Sequence, residues 1–468
     1  MSFVRLACRL VLQLALPLGI LLLALFGCSG PLRQLHPVGN DEFTLFPNER
    51  AKPPPIGCSG SIDERWACFV GELKQQGQKF DVSGAFALST PDGRIRSFAR
   101  TDELNAKALV VGEDTRFPAA SVTKMFIAAA AVSLSEDGSL DLQQPISRYL
   151  PELGDVGVGT ATLHQLLTHT SGLGSPEPMC ENGEQDLPAL LDKYRKQPLL
   201  VAPGAVFNYS NLGYSFVAGV LERVTGQPFE RVVAERVLIP AGIPGASFGP
   251  DQIAVRGQRP DESEEVPTHC RAAWPAGGLV LSVRELAQWA GQMARPESSK
   301  LSRGVLQALM APQVAMDDRP GAAYGYGVRR FEHGGLTIFN HPGGMEAFSS
   351  FVAWSPERGL GVAAFANRVV PLAGVGFRAL STFLSIPEDW QPPSAPAHPL
   401  SAYVGMYVDR VGTLGRLRVS LDEGDLVMDY LDAPPPLLPP GFRFVFEPGA
   451  ERPRYVVTPV GVGERSTD

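Results

Sequence analysis

Three short motifs in a fixed order constrain what this chain can fold into. They are Ser121-Val-Thr-Lys124, Tyr209-Ser-Asn211 and His341-Pro-Gly343. Serine is a weak nucleophile at its free pKa, so a neighbouring group must take its proton. On a helix, a lysine three residues after a serine lies one turn away on the same face. A tyrosine from elsewhere in the chain can complete the proton relay, so the motifs together predict a serine acyl-transfer site.

The residues around Ser121 predict that it begins a buried helix. Pro118, three residues earlier, suits the first turn of a helix. Residues 125–134 are apolar on every face, which is typical of a buried helix. At the start of such a helix the dipole favours developing negative charge, and the backbone N–H groups are available to hold an oxyanion.

In its motifs and their order the chain resembles the serine beta-lactamase-like and penicillin-binding-protein family, in the branch of class C beta-lactamases, esterases and D-aminopeptidases. The matching stretches are residues 117–124, 166–173, 203–214, 275–279, 324–327, 341–344 and 366–367. The resemblance implies an α/β (α+β) fold, in which an antiparallel sheet is flanked by helices and carries an inserted helical lobe. It identifies a family and leaves the substrate open.

The patterning of the chain agrees with that fold. Residues 82–88 and 94–98 alternate around a Thr-Pro-Asp-Gly turn, and residues 347–355 and 360–365 form a second predicted hairpin. Strands at both ends with helices between them predict one antiparallel sheet that is closed late in the chain. After a proline-rich linker, short alternating runs predict a small all-β domain over residues 396–468.

The resemblance implies a role for each residue of the first two motifs. Ser121 Oγ would attack an acyl carbonyl and form an acyl-enzyme, which water then opens. Lys124 would either lower the pKa of Tyr209 or, if neutral, accept the serine proton itself, and the sequence leaves both open. Tyr209 is the favoured general base, because a phenolate beside a cation is workable near neutral pH. Asn211 would orient the substrate amide and hold Lys124.

The third motif is expected to begin the strand that lines the cleft. Gly343 would let the substrate backbone come close, and the N–H groups of Gly344 and Ser121 would form the oxyanion hole by resemblance to the family. His341 stands where true beta-lactamases have a lysine, and a histidine is mostly neutral at pH 7. The substitution favours esters or D-amino-acid peptides over carboxylate-bearing beta-lactams.

Two further stretches are interpreted as structural. His164 and His169 are five residues apart and do not share a helical face, and the Thr168-His-Thr-Ser-Gly172 segment is interpreted as a turn. The Tyr324-Gly-Tyr-Gly327 stretch is interpreted as a tight backbone passage near the cleft.

The N-terminal residues predict export. Residues 1–27 combine Arg5 and Arg9 with an apolar run that is too short for a convincing membrane span, as in a signal peptide. Leu25-Phe-Gly-Cys28 resembles a lipoprotein cleavage box, so Cys28 is the predicted lipidated residue. Ser29 after it resembles the pattern sent to the outer membrane, facing the periplasm. A plain signal peptide and a retained anchor are the alternatives.

Composition divides the rest of the chain and limits its partners. Residues 28–70 are predicted to be the lipidated cysteine and a proline-rich tether, and residues 71–390 the hydrolase domain. Without residues 1–27 the chain would carry 39 basic and 49 acidic residues, a net charge of −10, because the removed segment holds two of the 41 basic residues. Nucleic acid is therefore not an expected partner. The sequence supports no cofactor or metal site, and the oligomeric state is open.

The cysteines predict disulfides in an oxidising compartment. Once Cys28 is lipidated and the signal removed, Cys58, Cys68, Cys180 and Cys270 remain. Four cysteines allow three pairings. The favoured pairing is Cys58 with Cys68 as a local clasp and Cys180 with Cys270 across the helical region.

Three functions stay open at this level. The leading hypothesis is a serine hydrolase that acts on esters or D-amino-acid peptides and amides in the cell envelope. The second is a true beta-lactamase or D,D-carboxypeptidase. The third is a non-catalytic lipoprotein that binds peptidoglycan fragments.

Overall fold

The computed structural model describes most of the chain from residue 58 onward and three short pieces before it. The described residues are 33–34, 36–37, 42–44, 58–102, 105, 109–174, 186–259, 264–265, 270–316, 322–333, 335–345, 347–370, 372–384, 398–409, 415–422, 424–432, 441–447, 449–458 and 461–466. Within them, none of the helices combines the length and the apolar character that a membrane crossing requires.

Most of the helices of these residues are short, and most lie in the chain between the first and last strands of the main sheet. They are α1 (Ile62–Phe80), α2 (Thr123–Glu136), α3 (Leu163–Leu167), α4 (Leu187–Tyr194), α5 (Asn211–Thr225), α6 (Phe229–Val233), α7 (Trp274–Gly277), α8 (Val283–Ala294), α9 (Arg303–Met310), α10 (Leu372–Leu384) and α11 (Leu400–Tyr403). A 3-10 turn, Ala120–Val122, leads into α2.

The strands form two large sheets and two small ones. They are β1 (Arg33–Gln34), β2 (His36–Pro37), β3 (Glu42–Thr44), β4 (Gly84–Ser89), β5 (Ile95–Arg100), β6 (Arg116–Pro118), β7 (Ser247–Phe248), β8 (Gly257–Gln258), β9 (Glu264–Glu265), β10 (Leu279–Ser282), β11 (Val314–Ala315), β12 (Ala323–Tyr324), β13 (Arg329–His333), β14 (Leu336–Met345), β15 (Phe348–Ser355), β16 (Leu360–Ala366), β17 (Gly405–Val408), β18 (Arg416–Asp422), β19 (Asp425–Tyr430), β20 (Gly441–Val445), β21 (Tyr455–Thr458) and β22 (Gly461–Arg465).

The main sheet is antiparallel and is closed late in the chain, which confirms the predicted fold class. Its described strands run in the order β11-β12-β13-β14-β15-β16-β4-β5. The late strand β16 pairs along the whole of the early strand β4, from Gly84 opposite Ala366 to Ser89 opposite Gly361. Both predicted hairpins are present, β4–β5 and β15–β16.

Helices cover both faces of this sheet because successive residues of its strands point to opposite sides. On one side, Phe86 of β4 packs against Phe69 of α1, with ring centroids 5.0 Å apart, and α10 adds Phe383. On the other side, α8 and α2 meet through Trp289 and Phe126, whose rings lie 4.3 Å apart. The buried α2 thereby holds the helical lobe against the sheet.

Helix α1 begins well inside the stretch that was predicted to be a tether. Ser61 accepts a hydrogen bond from the N–H of Glu64, and the Glu64 side chain accepts one from the N–H of Ser61, which is a capping box. The helix then buries Phe69 on the sheet. Helix α1 therefore spans the predicted boundary at residue 71, and the Ser-x-x-Glu pattern is the sequence signal that marks its start.

The C-terminal residues form the predicted β-rich region, but part of the predicted tether completes its sheet. The described order of this sheet is β1-β19-β18-β17-β22-β21-β20-β3-β2. Arg33 lies opposite Met428, and Phe43 lies opposite Phe442. The described pieces of the predicted tether, residues 33–34, 36–37 and 42–44, are therefore strands of this sheet. Backbone groups make a sheet ladder, so a proline-rich composition does not exclude strands, and Pro37 lies in the edge strand β2, where proline is tolerated.

The described cysteines are in disulfides. Cys58 and Cys68 are bonded to each other with their Cα atoms 5.6 Å apart, which is the pairing favoured from the sequence. Cys270 is also disulfide-bonded. Its predicted partner Cys180, and the predicted lipidation residue Cys28, lie outside the described residues.

Candidate active site

Ser121 lies in a tight turn between a strand and a helix. The residue before it, Ala120, has φ of 46°, in the left-handed region that residues with a side chain seldom adopt. Ser121 belongs to the 3-10 turn that leads into α2, so it lies at the N-terminal end of a buried helix, as predicted. Pro118 was predicted in the first helical turn but lies in β6, where it pairs with Val280 of β10.

Lys124 is completely buried beside the serine. Its Nζ atom donates to Ser121 Oγ at 3.1 Å, to Asn211 Oδ1 at 2.8 Å and to the carbonyl oxygen of Ala276 at 2.7 Å. An ammonium group has three N–H donors. Three acceptors therefore surround the group, which is the condition under which a buried cation is tolerated.

Tyr209 lies over Lys124 from the start of helix α5. The Nζ atom of Lys124 is 4.9 Å from the centre of the Tyr209 ring, within the range of a cation–π contact. Ser210 caps α5 by accepting a hydrogen bond from the N–H of Gly213, and Asn211 is the first helical residue. The cap orients this loop so that Tyr209 and Asn211 both reach the buried lysine.

His341, Gly343 and Gly344 lie on the part of β14 that faces the turn carrying Ser121, residues 119–122, which we call the nucleophile turn. Strand β13 pairs with β14 only as far as Asn340, whereas β15 pairs with it as far as Met345. Among the described strands, the β13 side of residues 341–345 therefore has no partner, and backbone groups on that edge are available to a substrate. This is where the predicted oxyanion donor Gly344 lies.

The structure explains the glycine at position 343 differently from the prediction, which was that it makes room for the substrate backbone. A Cβ atom at this position would lie 2.1 Å from Ser350 Oγ and 2.5 Å from the carbonyl oxygen of Ala119. Ser350 Oγ donates to that same carbonyl at 2.6 Å. The missing side chain thus lets β14 approach the nucleophile turn, and the space is filled by the protein itself.

His169 and Tyr324 belong to this site, although the sequence analysis interpreted both stretches as structural. The His169 ring lies 4.2 Å from the Tyr209 ring, and its Nε2 atom is 3.2 Å from the Tyr324 hydroxyl. That hydroxyl is 3.0 Å from His341 Nε2. Their stretches, residues 166–173 and 324–327, were both among the motifs that carry the resemblance, and that was the available signal.

Burial sets the protonation states of His341, His169 and Tyr324. It lowers the pKa of His341 to about 3, with a further contribution from the positive charge of Lys124. Burial and the same lysine hold the pKa of His169 well below its ordinary value. Burial raises the pKa of Tyr324 well above 10. Both histidines are therefore neutral at physiological pH, and His341 offers no positive charge to a substrate.

The Pro-Ala-Gly-Gly-Leu stretch, residues 275–279, holds the nucleophile turn in place. The N–H of Ala119 donates to the carbonyl oxygen of Leu279 at 2.7 Å, and the N–H of Leu279 donates to Thr123 Oγ1 at 3.1 Å. Together with the Ala276 carbonyl on Lys124, these bonds attach both sides of Ser121 to β10 and α7.

Metal ligands are not assembled in the part of the chain that the structure describes. No group of three or more His, Cys, Asp or Glu side chains there is placed to hold a metal ion.

Comparisons with known proteins identify the family of this chain. A family model described as Beta-lactamase matches residues 70–384. The chain is 36% identical over 164 residues to esterase EstB of Burkholderia gladioli, covering 31% of this chain and 42% of that protein. It is 27% identical over 314 residues to the D-alanyl-D-alanine-carboxypeptidase/endopeptidase AmpH of Escherichia coli (strain K12), covering 60% of this chain and 79% of that protein.

Solved structures agree on the fold. SurE is similar over 86% of this chain and 98% of that chain, with a TM-score of 0.66 and 24% identity. A class C beta-lactamase is similar over 69% of this chain and 98% of that chain, with a TM-score of 0.61 and 17% identity. With the fold, the site geometry and the family model in agreement, this chain is a serine hydrolase that belongs to the beta-lactamase family.

Proposed function

We propose that this protein forms an acyl-enzyme on Ser121 and hydrolyses esters or D-amino-acid peptides and amides. The observation that carries the proposal is the contact of Lys124 Nζ with Ser121 Oγ at 3.1 Å, beneath the Tyr209 ring at 4.9 Å. A serine needs an adjacent group to take its proton, and this pair supplies one.

The reaction divides into two steps. In the first, Ser121 Oγ bonds to the carbonyl carbon while its proton passes to Tyr209 or Lys124, and the negative oxygen is held by the N–H groups of Ser121 and Gly344. The carbonyl re-forms, the bond to the leaving alcohol or amine breaks, and that group takes the proton. In the second step water attacks the acyl-enzyme by the same route, which releases the acid and restores Ser121.

The surroundings of the site favour substrates without a carboxylate at the position of His341. That residue is neutral because burial lowers its pKa to about 3. A neutral histidine stabilises an uncharged group better than a carboxylate, which supports an ester or amide as the substrate.

A D,D-carboxypeptidase is the second candidate, and one observation favours it. AmpH, whose name gives it D-alanyl-D-alanine carboxypeptidase and endopeptidase activity, matches the chain over 60% of its length at 27% identity. The esterase EstB has higher identity, 36%, over a shorter stretch of 164 residues. Turnover of a D-Ala-D-Ala peptide at a higher kcat/KM than a nitrophenyl ester would favour the peptidase.

We also propose that the protein is a lipoprotein anchored through Cys28 in the outer membrane and facing the periplasm. The signal-like residues 1–27 and the cleavage-box-like residues 25–28 support this proposal. Disulfide bonding of Cys58, Cys68 and Cys270 is consistent with an oxidising compartment. Cys28→Ala should move the protein from the membrane fraction to the soluble fraction, and an unchanged distribution would contradict lipid anchoring.

The acyl-enzyme is tested by active-site labelling. The chain from Ser29 onward would be treated with a fluorescent fluorophosphonate and a fluorescent penicillin, and the labelled peptide would be mapped by mass spectrometry. We expect labelling on Ser121 and none in Ser121→Ala, which should also lose ester turnover while keeping its melting temperature. Labelling or turnover that survives this substitution would refute the proposal.

A further inference from the structure

Two hydrogen bonds to one residue flank Tyr209. The carbonyl oxygen of His169 accepts from the N–H of Asn208 at 2.7 Å, and His169 Nδ1 accepts from the N–H of Ser210 at 3.0 Å. The His169 ring itself lies 4.2 Å from the ring of Tyr209. His169 therefore holds the backbone on both sides of the proposed general base and also packs on its side chain.

The hydrogen bonds beyond His169 run in one direction. The N–H of Ser210 can only donate, so Nδ1 of His169 accepts and its Nε2 atom carries the hydrogen, which it donates to the Tyr324 hydroxyl at 3.2 Å. The carbonyl oxygen of Pro342 can only accept, so His341 Nδ1, 2.6 Å away, carries the hydrogen. His341 Nε2 is then left to accept from the Tyr324 hydroxyl at 3.0 Å.

This chain of hydrogen bonds links two parts of the fold that are distant in the sequence. One end is the loop that carries Tyr209 in the helical lobe, and the other is β14, which carries Gly344 in the main sheet. All three side chains are buried, with 0% of His169, 1% of Tyr324 and 2% of His341 exposed. A buried polar network whose members are all satisfied is rigid and selects one arrangement.

We propose that His169 and Tyr324 are positioning residues that hold Tyr209 in register with the oxyanion strand β14. The proposal rests on the proposed function, since it concerns how the acylation site is aligned. Neither side chain would touch the substrate; both act through Tyr209 and through His341. A displacement of about 1 Å can cost about 100-fold in rate at such a site.

The backbone of His169 supports a dedicated role. Its φ is 59°, in the left-handed region, which is uncommon for a residue with a side chain and costs free energy. In this conformation the residue can present its carbonyl oxygen to Asn208 and its ring to Ser210 and Tyr324 at once. A histidine that only filled space in the core would not require that geometry.

The chain offers a matched pair of variants for the test. Tyr324→Phe removes the hydroxyl that joins His169 to His341. Tyr326→Phe removes the hydroxyl two residues later, which bonds to His164 Nδ1 at 2.8 Å and is also on a buried tyrosine. Tyr324→Phe loses two hydrogen bonds and Tyr326→Phe loses one, so both should lower the melting temperature, the first by more.

Only the first variant should change the chemistry. We expect Tyr324→Phe to lower kcat for a nitrophenyl ester by about 10- to 100-fold, with KM changed less than about threefold. Tyr326→Phe should stay within about threefold of the wild type in both constants. Equal kcat in the two variants would overturn the proposal.

Variants of His169 separate its two bonds. His169→Asn keeps an acceptor near Ser210 and suits the left-handed backbone, but it cannot reach Tyr324. His169→Gln can reach Tyr324 but not Ser210 in the same way. If the hydrogen-bond chain from His169 through Tyr324 to His341 acts as a unit, adding Tyr324→Phe to His169→Asn should lower kcat by less than a further threefold. Multiplicative losses in that double variant would contradict a shared role.

One measurement does not depend on turnover. Nitrogen NMR of histidine-labelled protein should show His169 as the neutral Nε2–H form and His341 as the neutral Nδ1–H form, assigned with His169→Asn and His341→Asn. Any other protonation pattern would contradict the proposed hydrogen-bond chain from His169 through Tyr324 to His341. If wild-type Ser121 fails to react with the acylating probes, the proposed function fails, while the NMR result still decides whether the hydrogen-bond chain exists.

Discussion

At the scale of single residues, the site depends on a buried cation, Lys124, whose ammonium group has three hydrogen-bond acceptors around it. Lys124 has none of its surface exposed, and its Nζ atom contacts Ser121, Asn211 and the Ala276 carbonyl within 3.1 Å. Leaving a buried charge without partners is strongly unfavourable. The three acceptors therefore explain why the lysine is tolerated, and they favour its charged form, which would leave Tyr209 as the base.

This assignment predicts the behaviour of Tyr209→Phe. The variant keeps the ring that packs on His169 and loses the hydroxyl, so it should fold normally. We expect acylation by a nitrophenyl ester to slow by roughly 10²- to 10⁴-fold, the usual contribution of a general base. Single-turnover kinetics would measure it, and an acylation rate close to that of the wild type would indicate Lys124 as the base.

The neutral histidines predict a pH dependence of stability. The pKa of His341 falls from 6.5 to about 3 on folding, so between these values the unfolded chain binds a proton that the folded chain excludes. The contribution of His341 to the free energy of unfolding should be complete above pH 6.5. It should decline as the pH falls, by about 1.4 kcal/mol per pH unit for this one group. Urea unfolding between pH 7.5 and 5 would measure the slope.

The matched variant for this prediction is His341→Asn, which cannot take up the proton. Its slope should be smaller than that of the wild type over the same pH range. Identical slopes would show that His341 is not held neutral by the fold.

At the scale of secondary-structure elements, the approach of β14 to the nucleophile turn depends on one glycine. In Gly343→Ala the new methyl group would meet Ser350 Oγ and the Ala119 carbonyl at 2.1 and 2.5 Å. We expect a loss of about 1–3 kcal/mol in the free energy of unfolding, as for other overpacked sites, together with slower acylation of Ser121.

Gly344→Ala is the control, because nothing lies within 4 Å of a Cβ atom built there. It should change the free energy of unfolding by no more than about 0.5 kcal/mol. Urea denaturation of the two variants would compare them. Equal destabilisation would show that the strand backbone, rather than the contact with the nucleophile turn, requires glycine at position 343.

At the scale of the whole molecule, the C-terminal sheet contacts the segment that leads to the active site. Arg443 of β20 donates to the carbonyl oxygen of Phe207, and its guanidinium lies 5.7 Å from the centre of that ring. Phe207 in turn lies 5.7 Å from His169 and 5.4 Å from Tyr324, centroid to centroid. The C-terminal sheet therefore contacts the site through Phe207, which packs against His169 and Tyr324.

The N-terminal strands predict how the protein should be truncated. A form that begins at Ser29 retains β1–β3, whereas a form that begins at Ile56 removes their ladder from the C-terminal sheet. Since each ladder hydrogen bond contributes roughly 0.5–1.5 kcal/mol, the shorter form should melt at a lower temperature. Thermal melts of both forms would test this, and equal melting temperatures would contradict the pairing.

Labelling of Ser121 provides the control for that comparison. The turn that carries Ser121 lies between β6, in the sheet β6-β10-β7, and α2, and these elements and the main sheet are all kept in the shorter form. Both forms should therefore label on Ser121, so a difference in melting temperature can be assigned to the C-terminal sheet.

Local patterns in the sequence were sufficient for several features. The spacing of Ser121 and Lys124, the hairpin around Gly359 and the short alternating strands after residue 400 all depend on neighbours in the chain. The capping box at Ser61 was equally local and was available to find the start of α1. Helix caps, turns and hairpins are read from a few adjacent residues, and so is the family resemblance.

What the sequence by itself determined was the family, the mixed fold and most of the residues that meet at the site, while His169 and Tyr324 were interpreted as structural. Tertiary structure decided their partners: His169 bonds to Tyr324, 155 residues away, and Gly343 faces the Ala119 carbonyl. It also placed residues 33–34 and 42–44 beside the C-terminal strands. Buried hydrogen bonds and strand ladders join groups that are distant in the chain, and any segment with free backbone groups can make them. No local pattern therefore marks them, and only the folded arrangement does.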